Sequence, residues 1–232
     1  MSVFIEKGGP LMWLLLVASV VAVGVFFERL TYLRRVSIPV GDFLRGLSNL
    51  IRRGSYTEAQ IECKSTPGPI PRVVYAAILR HDLPRSNLKE IVQEAGQLEV
   101  PGLETHLPIL AIIAQVCPLI GLLGTVTGMI HAFVTVSSQG GYVTANTLSS
   151  GIYQSLLTTA GGLVVGIPAF VAHAYLSSRV NALLHDMERA GIEIVNLLVD
   201  HRIEADIIHF ESAVNAPVHQ AAQMGGHRKR RD

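Results

Sequence analysis

The sequence predicts an all-α membrane protein with three transmembrane helices, N-terminus outside and C-terminus inside. Three observations predict it. The 232-residue chain is 49% hydrophobic and only 16% charged, too little charge to cover a soluble domain of this length. Residues 105–178 contain no Asp, Glu, Lys or Arg. The 19 Lys and Arg are also segregated. Lys7 alone precedes the first apolar run, none lies between the second and third, and the rest fall within 29–89 and 179–231. Basic loops stay in the cytoplasm, so both basic segments lie on that side, as three spans require.

Residues 1–9 form a short external N-terminus, followed by the first span at 10–28. Its core, PLMWLLLVASVVAVGVFF, is just long enough to cross about 30 Å of hydrocarbon as a tilted helix. The bulky basic flank FERLTYLRR follows, with no small-residue cleavage site, which argues for a retained span and not a signal peptide. Residues 29–106 read as a cytoplasmic helical region. Residues 42–64 and 69–100 are rich in Leu, Ile, Arg and Glu, with breaks at TPGPIP and near Pro84.

The second span occupies 107–136 and is expected to extend backward into KEIVQEAGQLEVPGLETH, bending at Pro101 and Pro108. Residues 137–147, uncharged and rich in turn formers, make a short external loop. The third span, 148–177, is expected to run without a break into a cytoplasmic helix at 178–214. There Leu183, Met187, Ala190, Ile194, Leu197 and His201 recur at helical spacing. Residues 215–232 lack apolar periodicity and are expected to form a disordered basic tail.

Net charge is +1, which excludes a general bias toward polyanions, so no nucleic-acid partner is expected. The HRKRR cluster reads as a solvated tail beside anionic lipid. Cys63 and Cys117 lack metal-ligand spacing and sit in segments of opposite polarity, so both read as free thiols. Neither HExxH nor GxSxG occurs, nor a pair of carboxylates within the spans, so no enzyme activity, metal or cofactor is predicted.

On a helical wheel, Ala111, Ala114, Pro118, Gly121, Gly124, Thr125, Gly128, Ala132 and Thr135 of the second span fall in one sector. Small residues let helix backbones approach in lipid, so this sector is a packing face, expected to serve oligomerisation. In the third span Gly151, Gln154, Ser155, Thr158, Thr159, Gly162 and Gly166 form a stripe expected to point inward. A Ser or Thr hydroxyl satisfies itself on its own helix. The Gln154 amide, with two donors and a carbonyl acceptor, requires a partner helix or water. The stripe is either packed interface or polar pathway.

PLIGLLGTVTGMIHAF (118–133), followed by GIYQSLLTTAGGLVVGIPA (151–169), resembles the paired signature of the MotA/TolQ/ExbB proton-channel family. The resemblance implies an ExbB/TolQ-like stator subunit of a proton-motive-force-driven motor in the bacterial inner membrane. It implies a homo-pentamer around an ExbD/TolR-like single-span partner that supplies an intramembrane Asp. Thr125 stands at the family's pore-facing Thr in GTV, Thr159 at its second Thr, and Pro168 at the Pro of IPA. Gln154 departs from the Glu common there. With no carboxylate in these spans, the titrating group is assigned to the partner. Thr125, Thr159, Gln154, Thr158 and Ser155 then line or solvate the ion path, and Gly121, Gly124, Gly128, Gly162 and Pro168 pack the helices. The rival reading is a structural scaffold whose small-residue faces only pack.

Overall fold

The computed structural model describes residues 9–138 and 145–224, and these are helical with no strand. Seven helices follow in chain order: α1 (Gly9–Val36), α2 (Val40–Arg52), α3 (Tyr56–Ser65), α4 (Pro69–Leu79), α5 (Arg85–Glu104), α6 (Leu107–Ser138) and α7 (Ala145–Met224). Three of them, α1, α6 and α7, contain segments long and apolar enough to cross a membrane. The chain divides into two compact units, 1–37 with 100–183 and 38–99 with 184–232.

In the first unit, α1 buries a stripe of Leu15, Ala22, Leu33 and Val36 and leaves Trp13, Val20, Val23 and Phe27 exposed. That distribution is reversed for water and suits lipid, which solvates large apolar side chains at no cost. The junction before α6 differs from the expected continuous helix. Pro101 is accommodated inside α5, and the chain breaks at Thr105–His106, where His106 adopts a left-handed φ of 63°. The cause is Pro108, whose ring would collide with the carbonyl four residues back, so α6 must restart with Pro108 in its first turn. The His106 Nδ1 lies 3.1 Å from a Glu28 carboxylate oxygen, which fastens this junction to the C-terminal half of α1.

The second unit has a core of bulky aliphatics. Leu44, Leu47, Ile51, Ile70, Val74, Ile78, Leu88, Ile194 and Leu198 are almost wholly buried. The helix expected over 42–64 is two helices, because Gly54 takes a φ of 73° and ends α2. Gly68, at φ 128°, turns the chain into Pro69 at the start of α4, where proline needs no N–H partner. A polar cluster ties these elements together. The Tyr56 hydroxyl is 3.1 Å from His201 Nδ1, its ring stacks on His81 at 4.0 Å, and the Arg202 guanidinium donates to the carbonyls of His81 and Leu83. Burial, the largest influence, pushes the Tyr56 phenol above its ordinary value.

Helix α7 is one continuous helix that supplies residues to both units. Its backbone stays helical to Met224, past residue 215, where the sequence suggests that a disordered tail begins. Ala216, Ala221 and Ala222 favour helix there without any apolar stripe. Residues 225–232 and the loop residues 139–144 lie outside the described residues.

A hydroxyl-lined helix seam as the candidate functional site

The candidate residues belong to the first unit, where α6 and α7 meet along a seam of glycine and hydroxyl side chains. A Cβ added to Gly162 would stand 2.5 Å from the Cys117 carbonyl oxygen and 3.0 Å from the Gly121 Cα. One added to Gly121 would stand 3.0 Å from the Thr159 Cα. At these two positions the helices touch backbone to backbone, and no side chain fits between them. Farther along, a Cβ on Gly128 would stand 2.6 Å from Ser155 and one on Gly166 2.7 Å from the Pro118 ring, and Gly124 packs directly against the Thr158 side chain.

The small-residue face of α6 is therefore filled by α7 of the same chain. The sequence expectation gave the Gly124/Gly128 face to oligomerisation; within the chain these glycines pack against Thr158 and Ser155 of α7. A wheel identifies a close-packing face but says nothing about which helix occupies it.

The hydroxyls divide by what they bond. Ser155 and Thr158 are buried in the seam, where Ser155 donates to the Ile152 carbonyl at 2.7 Å and Thr158 to the Gln154 carbonyl at 3.0 Å. Both are satisfied on their own helix, which lets a polar side chain lie between two helices without an orphaned donor. Thr125 also bonds its own helix, at 2.6 Å from the Leu122 carbonyl. Thr159 is different. Its hydroxyl donates across the seam to the Gly121 carbonyl at 2.9 Å. That carbonyl belongs to a residue whose missing side chain is what lets Thr159 come so close.

Gln154 does not point into the seam. It is exposed on α7 and has no side-chain partner among the described residues. The sequence stripe grouped it with Ser155, yet adjacent residues on a helix point about 100° apart, enough to turn it off the α6 contact. Pro168 is likewise exposed, so the packing role expected of it falls instead to its neighbour Ala169, which is buried. His131 is exposed and His173 half-buried. Among the described residues no group of His, Cys, Asp and Glu is arranged to hold a metal.

One buried polar side chain was missed. Arg29 of α1 is 4% exposed, and its Nε has no hydrogen-bond partner. The signal was present, since Arg29 continues the heptad-spaced stripe of Leu15 and Ala22 toward the bundle interior.

Three span-length apolar helices, two of them joined by a glycine seam carrying hydroxyls, define an integral membrane protein with a polar, closely packed helix pair. The family can be named from comparison. The chain belongs to the MotA/TolQ/ExbB proton channel family, whose model matches residues 66–189. It is 44% identical over 88 residues to the Tol-Pal system protein TolQ of Haemophilus influenzae, a match spanning 38% of each chain. It is 28% identical to the biopolymer transport protein exbB1 of Vibrio cholerae over 94% of both chains. The putative biopolymer transport protein ExbB-like 1 of Synechocystis is 28% identical over 81% of this chain and 75% of its own.

Proposed function

We propose that this chain is the pore-wall subunit of a proton-motive-force-driven inner-membrane motor of the ExbB/TolQ type. In this reading the N-terminus is outside, the second unit is cytoplasmic, and copies of the chain assemble as a pentamer. They enclose an ExbD/TolR-type single-span partner that brings an intramembrane Asp. Ion flow down its gradient protonates and discharges that Asp, and movement of the partner performs work in the envelope. No enzymatic step is involved.

The observation that carries this reading is the contrast between Gln154 and the seam. Ser155 and Thr158 are satisfied and enclosed, so we assign them to packing. Gln154 is exposed on a span-length helix with no side-chain partner among the described residues, and an amide facing hydrocarbon is costly. Water or another chain must meet it. Thr125 and Thr159 are each half-buried with two acceptor lone pairs still available, which suits them to solvate a protonated carboxyl or a file of water. Neither Thr nor Gln titrates, so the proton carrier is the partner's Asp and the chain provides the polar wall. Hydroxyls and a carboxylate suit H⁺ and Na⁺ alike.

A second reading, a scaffold with no ion flux of its own, is favoured by one fact. Every seam hydroxyl already bonds a backbone carbonyl. Reconstitution separates the two. Proteoliposomes containing this chain and the partner should conduct only when both are present, and conduction should vanish when the partner's Asp becomes Asn. Thr159→Val should reduce flux by about tenfold or more, the usual scale for losing one positioned polar group at a reaction site. Thr159→Ser should restore it, and Gln154→Leu should have a smaller effect. Full flux from a Thr125→Val/Thr159→Val double variant sinks the motor reading and leaves the scaffold.

A further inference from the structure

We propose that Arg29 anchors an anionic-phospholipid site at the end of α1, holding the phosphodiester of a headgroup in the adjacent leaflet. Arg29 faces inward on the stripe of Leu15, Ala22 and Leu33, and is itself more than nine-tenths buried. A guanidinium stays charged at any physiological pH and presents five N–H donors in a planar fork. Here none of the five has a hydrogen-bond or ion-pair partner among the described residues, and Nε is fully enclosed without one. Among the described residues the guanidinium lies over the Tyr32 ring, whose centroid is 5.1 Å from Cζ. A ring covers the face of a guanidinium and leaves its in-plane donors free. The adjacent carboxylate, Glu28, makes no ion pair with it and lies instead against His106, with its oxygens 3.1 and 3.2 Å from Nδ1.

An uncompensated buried charge is retained only when something outside the chain compensates it. The surroundings specify an anion at headgroup depth. Arg29 follows the charge-free run of 10–27 by two residues, and Arg34 and Arg35 in the last turn of α1 add positive potential. Tyr32 is exposed, as interfacial aromatics are. The end of the third apolar segment repeats the pairing, with Arg179 lying 5.4 Å from the Tyr175 ring centroid. There the Tyr175 hydroxyl accepts from the guanidinium at 3.3 Å, whereas Arg29 has no such acceptor. A phosphodiester supplies two oxygens at guanidinium spacing. An anionic lipid is favoured over a zwitterionic one, whose own cation competes for the same oxygens.

The test is native mass spectrometry of the delipidated full chain in neutral detergent, titrated with phosphatidylglycerol, with phosphatidylcholine, and with inorganic phosphate. The first phosphatidylglycerol should bind about tenfold more weakly to Arg29→Gln, the scale of one charge-assisted contact. Arg34→Gln, which removes only a rim charge, should change binding less than twofold. Arg29→Lys, which keeps the charge and loses the fork, should fall between wild type and Arg29→Gln, and it serves if the glutamine variant does not fold. Unchanged phosphatidylglycerol binding in both Arg29 variants overturns the proposal. Equal protection by inorganic phosphate also overturns it, in favour of a free-anion site. Thr159→Val should leave lipid binding at the wild-type level, so this site stands or falls separately from the ion path.

Discussion

Along the contact of α6 with α7 in the first unit, the residues turned inward are the smallest those helices possess. In the second unit they are among the largest. Gly121, Gly124, Gly128, Gly162 and Gly166 line the contact of α6 and α7, while Phe133 and Val164 on the same helices are 70% and 72% exposed. Leu47, Ile78, Leu88 and Ile194 of the second unit are 0% exposed. The difference follows from the solvent each unit is built for. Water drives large apolar side chains together, and lipid does not, so helices in lipid associate through backbone proximity and hydrogen bonds. Thr159 donating to the Gly121 carbonyl is an example of such a bond.

The comparison predicts that enlarging an inward residue harms the first unit and shrinking one harms the second. The largest effect is expected for Gly162→Leu. Its new side chain would meet the Cys117 carbonyl oxygen 2.5 Å from Cβ, a backbone atom that cannot rotate away. The helices must separate, and about 3 kcal/mol or more of stability should be lost. Gly24→Leu in α1, with nothing within 4 Å of its Cβ, is the control and should be tolerated. Thermal unfolding in detergent reads both, and equal stability of the two variants would break the comparison. Next comes Ile194→Ala in the second unit, expected to cost about 2–5 kcal/mol as a cavity in a closed core. Val164→Ala removes two carbons, against three for Ile194→Ala, from an exposed face of α7 and should cost under about 0.5 kcal/mol. A large loss from Val164→Ala would mean that a further helix packs there.

The sequence was a good guide wherever one periodicity had one physical meaning. The apolar runs gave the three span-length helices, and the small sector from Ala111 to Thr135 gave a close-packing face. It was a poor guide wherever meaning depended on a neighbour. That α7 of the same chain fills the face cannot be read from α6 alone, and neither can the outward turn of Gln154. The breaks at TPGPIP and near Pro84 were legible, the one at Gly54 was missed, and Pro108 read as a bend where it ends the preceding helix. Arg29 escaped notice because a charge next to a span ordinarily reads as a flank, although its heptad spacing after Leu15 and Ala22 puts it on the stripe that is buried.

The two cysteines sharpen the comparison at its smallest scale. Both are buried free thiols, Cys117 in the seam of the first unit and Cys63 in the core of the second. Burial, with a lesser push from the Glu62 carboxylate, raises the Cys63 thiol to about 12 from its ordinary 9.0. The folded state therefore holds this proton more tightly than the unfolded state. The resulting stability is complete below pH 9.0 and is lost as pH rises from there toward about 12. At pH 8 the folded thiol carries about a thousandfold less thiolate than an exposed one, and thiolate is the reactive form. Alkylation of Cys63 at pH 8 should accordingly be undetectable in the folded protein and should appear on unfolding. Cys63→Ala should flatten the alkaline decline in stability while leaving it nearly unchanged in shape below pH 9.0. Rapid alkylation of Cys63 in the folded chain would mean that the second unit opens locally around α3, and that its core is less closed than the burial of Leu47 and Ile51 implies.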